Sequence, residues 1–413
     1  MEKVPETTRR LLIVGVALAV IGTIAWAFQL TGGLLSGSNM TNIFLWGLMI
    51  AIFAFLVGFG AGSQLVATMI YLFGRDDLKP LARTAAACGF ACVAGAGVAI
   101  LTDLGALRNI LAMIFGLNLR SPLAWDMIAI SAFVVCSLIQ LIMMMLDSKS
   151  VKVWATIAGI CAIAMQVVEG LLFSTQTSHT WWASPIMPVD FLAVAFVSGF
   201  ALMMLIAAVQ KLPAGSIAWL GRICAIAIAV HLVLALADLC LVFAEGTPTA
   251  GGVLAALGSN ILLYLCELML PAIAMVMLFT VGKGGQKKYA IIASILTILG
   301  IFAHRLMLLY PAYDAPSLYL QLSGTDFTTG AYPISTGRYL DWDMTFGVTA
   351  PYFPSGLEWL AVLMPIGIAI VVALVILLIL NKFGRYHDGK VAEGAEPIKT
   401  VEVAETTETV VGS

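Results

Sequence analysis

The sequence predicts an all-α integral membrane protein of about ten transmembrane helices, and three observations predict it. Of its 413 residues 61% are hydrophobic and 11% charged, whereas roughly 25% of a soluble domain is charged. Uninterrupted apolar runs recur along the chain, and a helix needs about 20 such residues to cross a bilayer. Lys and Arg, 21 in all, gather on alternate connecting segments. A formal charge of −2 without a concentrated basic face excludes nucleic acid as a partner. The lipid bilayer is the expected surrounding.

Each element follows from its own stretch. Residues 1–10 form a short terminus ending in Arg9 and Arg10. The next run, 11–30, is too long for a secretory signal peptide and lacks a small-residue cleavage site, so it is expected to remain as the first span. Spans 43–73 and 80–102 follow, separated by Arg75, Lys79 and Arg83. Spans 125–146 and 151–173 flank Lys149 and Lys152, and spans 187–209 and 217–243 flank Lys211, with Arg222 close by. Spans 254–281 and 288–309 flank Lys283, Lys287 and Lys288. The last span, 358–381, comes after a long segment, 310–357, rich in Tyr, Pro, Asp and Gly. A loop of that length is usually functional or a docking surface. Residues 382–413, with Glu393, Glu396, Glu402, Glu405 and Glu408 among Thr and Val, read as a flexible tail.

Basic residues favour the cytoplasmic side. With ten spans, every Lys and Arg except Arg108, Arg120, Arg305 and Arg338 falls on the side of the two termini; an odd number of spans would mix the groups. The expectation is a multi-pass protein of the cytoplasmic (inner) membrane with both termini cytoplasmic.

The seven cysteines all lie in apolar stretches without a C-x-x-C pair, so they read as small core residues. No metal and no iron-sulfur cluster is expected in the chain. Paired axial histidines for haem would have to be His179 and His304, both placed near the outer surface, and no haem is expected either.

Ionisable side chains inside apolar helices cost roughly 2.5–3.5 kcal/mol at the bilayer centre on insertion scales, so each is a functional candidate. Asp103 ends the third span on the outer side, Asp126 begins the fourth there, and Glu169 lies near the outer end of the fifth, one turn after Gln166. Asp238, His304 and Arg305 also sit near outer ends, with His231 and Glu267 closer to the midplane. This distribution suits a pocket for an amphipathic molecule with protonatable groups at its head. Quinones fit, because their two-electron chemistry exchanges two protons and needs a titratable group within reach of each oxygen. The blander readings are that Asp103 pairs with Arg108 and that Asp126 caps a helix start, where the dipole favours an anion. His231 and Asp238, two turns apart on one face, could form a buried proton relay with Glu267, or hydrogen bonds that fix packing. The tryptophans, Trp46 and Trp125 among them, also suit an interfacial belt.

The pieces resemble a known family, the NrfD-like or polysulfide-reductase-type membrane subunits of respiratory complexes. The matching stretches are Trp46-Gly47, Gly58-x-Gly60-Ala61-Gly62, Lys79-Pro80-Leu81-Ala82-Arg83, Asp103-Leu104-Gly105, Ser121-Pro122-Leu123-Ala124-Trp125-Asp126 and Trp182-x-Ser184-Pro185-x-x-Pro188-x-x-Phe191. They cover a core of about 42–210. The further helices, the long outer loop and Tyr352-x-Pro354-Ser355-x-x-Glu358 are similar to the ten-helix branch that contains HybB and DsrP. One departure concerns the Arg-Pro that commonly follows Asp-Leu-Gly in the family: Ala106 and Leu107 stand here, with Arg108 next.

The resemblance implies a subunit without its own redox centre that binds menaquinone or ubiquinone in the bundle of helices two to five. Electrons would pass to or from an extracytoplasmic ferredoxin-like iron-sulfur subunit, itself joined to multihaem cytochromes or a catalytic subunit. Mapped here, the quinone-facing positions are Asn42, Trp46, Asp103, Trp125, Asp126, Gln166 and Glu169. The last stands where related chains tend to carry Tyr or His. His231, Asp238, Glu267, His304 and Arg305 are the expected proton path. The rival readings are a secondary transporter, which usually shows two matching halves, and a purely structural anchor.

Overall fold

A computed structural model of the chain describes residues 5–32, 46–103, 115–177, 179–284, 286–314 and 353–383. Ten helices among them are long and apolar enough to cross a membrane, and the described residues contain no strand. In chain order the helices are α1 (Glu6–Gly32), α2 (Leu48–Leu72), α3 (Lys79–Asp103), α4 (Pro122–Met145), α5 (Val151–Ser174), α6 (Met187–Val209) and α7 (Ala214–Glu245). The remainder are α8 (Pro248–Ser259), α9 (Ile261–Gly284), α10 (Lys287–Asp314), α11 (Gly356–Ala361) and α12 (Leu363–Phe383). The loop and tail expected over most of 310–357 and 382–413 lie largely outside the described residues.

Apolar run length sets the number of spans, and short polar signals set their ends. Pro122 opens α4, where a missing N–H costs nothing. Ser355 and Glu358 form a capping box on α11, with the Glu358 amide donating to Ser355 Oγ at 3.1 Å and the Ser355 amide to Glu358 Oε2 at 2.8 Å. The apolar run expected as one span over 254–281 is instead broken. Gly246, at φ 61°, ends α7 in the left-handed conformation that glycine adopts freely. Thr247 then caps α8 by accepting from the Ala250 amide at 3.2 Å. Asn260 stops α8, its Nδ2 donating to Ala256 O at 2.9 Å and to Asp314 Oδ2 at 2.8 Å. Only α9 of this pair is long enough to cross.

The spans pack as two groups of four. Helices α2, α3, α4 and α5 form the first and α6, α7, α9 and α10 the second, with α12 packed against α3 and α1 packed in turn against α12. The groups meet chiefly where α2 crosses α6. A Cβ on Gly62 would lie 1.9 Å from Ala195 O, and one on Gly199 would lie 2.0 Å from the Gly62 carbonyl carbon. Such backbone contact is how helices associate where no hydrophobic effect drives them together. By contrast α1 leaves Ile13, Val14, Val20, Ile24 and Phe28 exposed, an apolar surface that suits lipid.

Successive spans run in opposite directions, which sorts their ends. Tyr71, Asp76, Lys79, Arg83, Lys149 and Lys152, from the C-terminal end of α2 and the starts of α3 and α5, line one cavity of about 310 Å³. At the opposite end of the bundle stand Trp46, Asp103, Asp126, Asp190 and Asp238. Asp103, Asp126 and Asp238, picked out in the sequence, therefore share one end.

Candidate functional site

Among the described residues Arg305 is the largest fully buried side chain, and it stands between the two four-helix groups. Its guanidinium lies over the Phe191 ring, 4.2 Å from the centroid. Within those residues none of its three nitrogens has a hydrogen-bond partner. A buried charge needs compensation, and the charges that act on Arg305 are Glu169 from the first group with Asp190 and Glu267 from the second. Gly58 on α2 faces this guanidinium, since a Cβ there would come into van der Waals contact with Arg305 Nη2 at 3.5 Å.

On the first side, Asp126, Gln166 and Glu169 are all buried. Gln166 Nε2 donates to Glu169 Oε2 at 3.0 Å across one turn of α5. Asp126 is an electrostatic neighbour of Glu169, so the structure brings together three of the residues expected near a quinone head. Asp126 Oδ1, Gln166 Oε1 and Glu169 Oε1 have no partner among the described residues. Buried polar atoms are normally paired; here three acceptors wait for a proton or a donor.

The second side is built around Asp190, near the start of α6. Asp190 Oδ1 lies 2.7 Å from His231 Nδ1, and Asp190 Oδ2 lies 3.4 Å from His304 Nε2. His304 Nδ1 is in turn 2.8 Å from Glu267 Oε1, and the two imidazole rings meet edge to face with centroids 4.9 Å apart. Pro271 lies one turn beyond Glu267 inside α9. It cannot donate to the Glu267 carbonyl, which loosens the helix at this residue. Asp238 accepts a hydrogen bond from Ser184 Oγ and lines a cavity of about 30 Å³ together with Asp190, Tyr264, Glu267 and His304. That space holds about two waters.

Of the residues expected to form a relay, His231 is paired across helices with Asp190, while Asp238 is held by Ser184. The sequence reading missed Asp190. The signal that could have found it is an acid two residues after Pro188, within the Trp182 to Phe191 stretch.

Above these groups lies an aromatic rim. The Tyr313 hydroxyl donates to Trp46 O at 2.8 Å and accepts from the Trp46 amide at 3.0 Å, tying the end of α10 to the start of α2. Trp46 stacks on Trp182 with centroids 5.3 Å apart. Pro311 leaves the Met307 carbonyl without its helical donor, and the Trp181 indole donates to it at 2.8 Å. Burial holds the His179 imidazole below its ordinary pKa, against the opposing effect of the Ala312 carbonyl, 2.9 Å from Nδ1. The Asp103 carboxylate accepts from the Gly47 amide and feels the charge of Glu358. Trp125 is half exposed and donates to Leu119 O, away from the buried chain of polar groups. Asn42, and Arg108 with its expected pairing to Asp103, lie outside the described residues.

Residues 37–316 match the family described as polysulphide reductase, NrfD. The chain belongs to the NrfD family. All the buried groups around Arg305 fall inside the matched region, as do the spans from α2 to α10, with α1 and α12 flanking it. Similar proteins include a putative dimethyl sulfoxide reductase membrane subunit of Halobacterium salinarum, 25% identical, with 80% of this chain and 85% of that protein aligned. The Hdr-like menaquinol oxidoreductase integral membrane subunit of Archaeoglobus fulgidus is 24% identical, with 94% and 95% aligned. A selenate reductase subunit of Mesobacillus selenatarsenatis is 23% identical, with 86% and 89% aligned. The chain is thus a membrane protein of the NrfD family, similar over most of its length to subunits of reductase complexes.

Proposed function

We propose that the chain is the quinone-reactive membrane subunit of a respiratory oxidoreductase complex. It exchanges electrons between the menaquinone or ubiquinone pool and an extracytoplasmic ferredoxin-like iron-sulfur subunit, itself joined to multihaem cytochromes or a catalytic subunit. The observation that carries this reading is the set of three unfilled acceptors, Asp126 Oδ1, Gln166 Oε1 and Glu169 Oε1, buried beside a guanidinium. The printed name of one relative, a menaquinol oxidoreductase subunit, supports the ligand class.

Bound there, a quinone supplies a two-electron, two-proton couple. The chain's own work is to handle the protons. Glu169 Oε1 accepts one from a hydroxyl at the head group, and Gln166, held by Glu169 Oε2, orients that hydroxyl. Arg305 lowers the cost of the carboxylate charge that alternates at Glu169. On the second side Asp190, the imidazoles of His231 and His304, Glu267 and the water-sized cavity at Asp238 make up the proton path, and Arg305 stands between it and Glu169 as a fixed charge that biases both. The unfilled acceptors favour the Asp126 side for the head group, and the cavity at Asp238, far below the roughly 300–1,000 Å³ of a ligand pocket, is left to water. The basic cavity at the opposite end supports a cytoplasmic placement of that end, with both termini, in the inner membrane.

The test is oxidation of a short-chain naphthoquinol by the purified complex. Glu169→Gln keeps the shape and removes the base, and it is expected to slow quinol oxidation on the order of 100-fold without loss of the partner subunits. Unchanged quinol kinetics would remove Glu169 from the site.

A further inference from the structure

We infer that His231, His304 and Glu267 form a binding site for one first-row divalent cation of the zinc class. One ligand atom from each of the three lies within 4.8 Å of the other two. They come from α7, α10 and α9, so no local spacing in the sequence announces them. All three are buried or nearly so, and His231 Nε2, Glu267 Oε2 and His304 Nε2 have no hydrogen-bond partner among the described residues.

Asp190 makes this more than a cluster. Its two oxygens face one nitrogen of each ring, His231 Nδ1 at 2.7 Å and His304 Nε2 at 3.4 Å. That turns His231 Nε2 and His304 Nδ1 toward the third ligand, with His304 Nδ1 hydrogen-bonded to Glu267 Oε1 at 2.8 Å, while the His304 Nε2 approach to Asp190 is an ion-pair contact without a hydrogen bond. Metal-bound histidines almost always give their other ring nitrogen to a carboxylate in this way, which fixes the tautomer and the ring. Two imidazoles and one carboxylate are a ligand set suited to zinc, with a water completing four-coordination. The adjoining cavity of about 30 Å³, lined by His304 and Glu267, offers room for that water. Calcium and magnesium, which take six or more oxygens, do not suit a site with two nitrogens.

Charge favours the same occupant. Asp190, Glu267 and Asp238 gather on this side, against a single guanidinium that Glu169 also claims from the other. A divalent cation offsets that excess, and closing the ligand atoms onto it takes rotamer-sized movements. The same atoms serve the proton relay proposed above when no metal is present. A bound cation occupies them and closes that relay. Binding itself is independent of the quinone reading, because it requires only these four side chains.

The experiment uses the purified complex, prepared without a histidine tag, stripped with chelator and titrated with Co²⁺ as a spectroscopic probe. The expected result is one Co²⁺ per chain with the visible bands of a four-coordinate nitrogen and oxygen site, displaced by Zn²⁺. Asp190→Asn is expected to weaken binding about 10–100-fold, and His231→Gln to abolish the bands. Absence of stoichiometric Co²⁺ in the unmodified complex, or bands unchanged in folded His231→Gln, overturns the site. Quinol oxidation by the cobalt-free complex is read alongside. Normal oxidation with no cobalt binding rejects the metal site alone; cobalt binding with no quinol oxidation supports the metal site and counts against the quinone reading only.

Discussion

Arg305 shows how a single residue can join two parts of a protein. Lodged between the helix groups, it is compensated by Glu169 on one side and by Asp190 and Glu267 on the other. Removing one partner of a buried charge cluster costs about 3–5 kcal/mol, because the remaining charges stay behind. Arg305→Gln is therefore expected to lower the thermal stability of the detergent-solubilised complex strongly. Adding Glu169→Gln should restore part of the loss, since one of the stranded carboxylates then disappears. A double variant no more stable than Arg305→Gln would show that Glu169 and Arg305 are not coupled. The sequence marked Arg305, Glu169, Glu267, His231 and His304 as candidates, since each interrupts an apolar run, and the structure buries all of them but His304, which is partly buried. It could not pair them. Asp190 escaped notice because an acid in the first turn of a helix looks like an ordinary response to the helix dipole, and its partners lie on α7 and α10, 41 residues away in the case of His231.

At the scale of the helix, small residues and prolines place the site more than hydropathy does. Hydrophobic runs made nearly every span legible, yet the break inside the run 254–281 was hidden. Asn260 supplies it within a stretch whose average composition stays apolar. Gly62 and Gly199 hold the two groups in backbone contact, which fixes the spacing across which Arg305 reaches its carboxylates. Gly199→Val would drive side-chain carbon into the Gly62 carbonyl and is expected to destabilise by about 3 kcal/mol or more, seen as loss of assembled complex from the membrane. Assembly at wild-type level would mean that the crossing tolerates far wider separation. Prolines act differently: Pro311 frees the Met307 carbonyl that Trp181 then takes. Trp181→Phe keeps most of the packing and removes that donor, so a loss of about 1 kcal/mol is expected, measured by thermal unfolding. A loss several times larger would assign the indole a role beyond this one bond.

For the whole molecule, direction in the membrane decides whether the acidic end can meet an extracytoplasmic partner. The ten membrane-length helices among the described residues alternate in direction, and the buried chain from Asp126 through Arg305 to Glu267 lies toward the end opposite Lys79, Arg83, Lys149 and Lys152. Those four cations line one cavity and are the sort of group that stays with the cytoplasm during insertion. Lys149 and Thr177 are both exposed, at opposite ends of α5. A single cysteine placed at each tests the orientation with a membrane-impermeant thiol reagent, the unsubstituted protein serving as the control for Cys240 and Cys266, which are exposed on their helices. Lys149→Cys is expected to react only in inverted vesicles and Thr177→Cys only from the outside of intact spheroplasts. The reverse pattern would turn the carboxylates toward the cytoplasm. The iron-sulfur partner would then have to dock from that side.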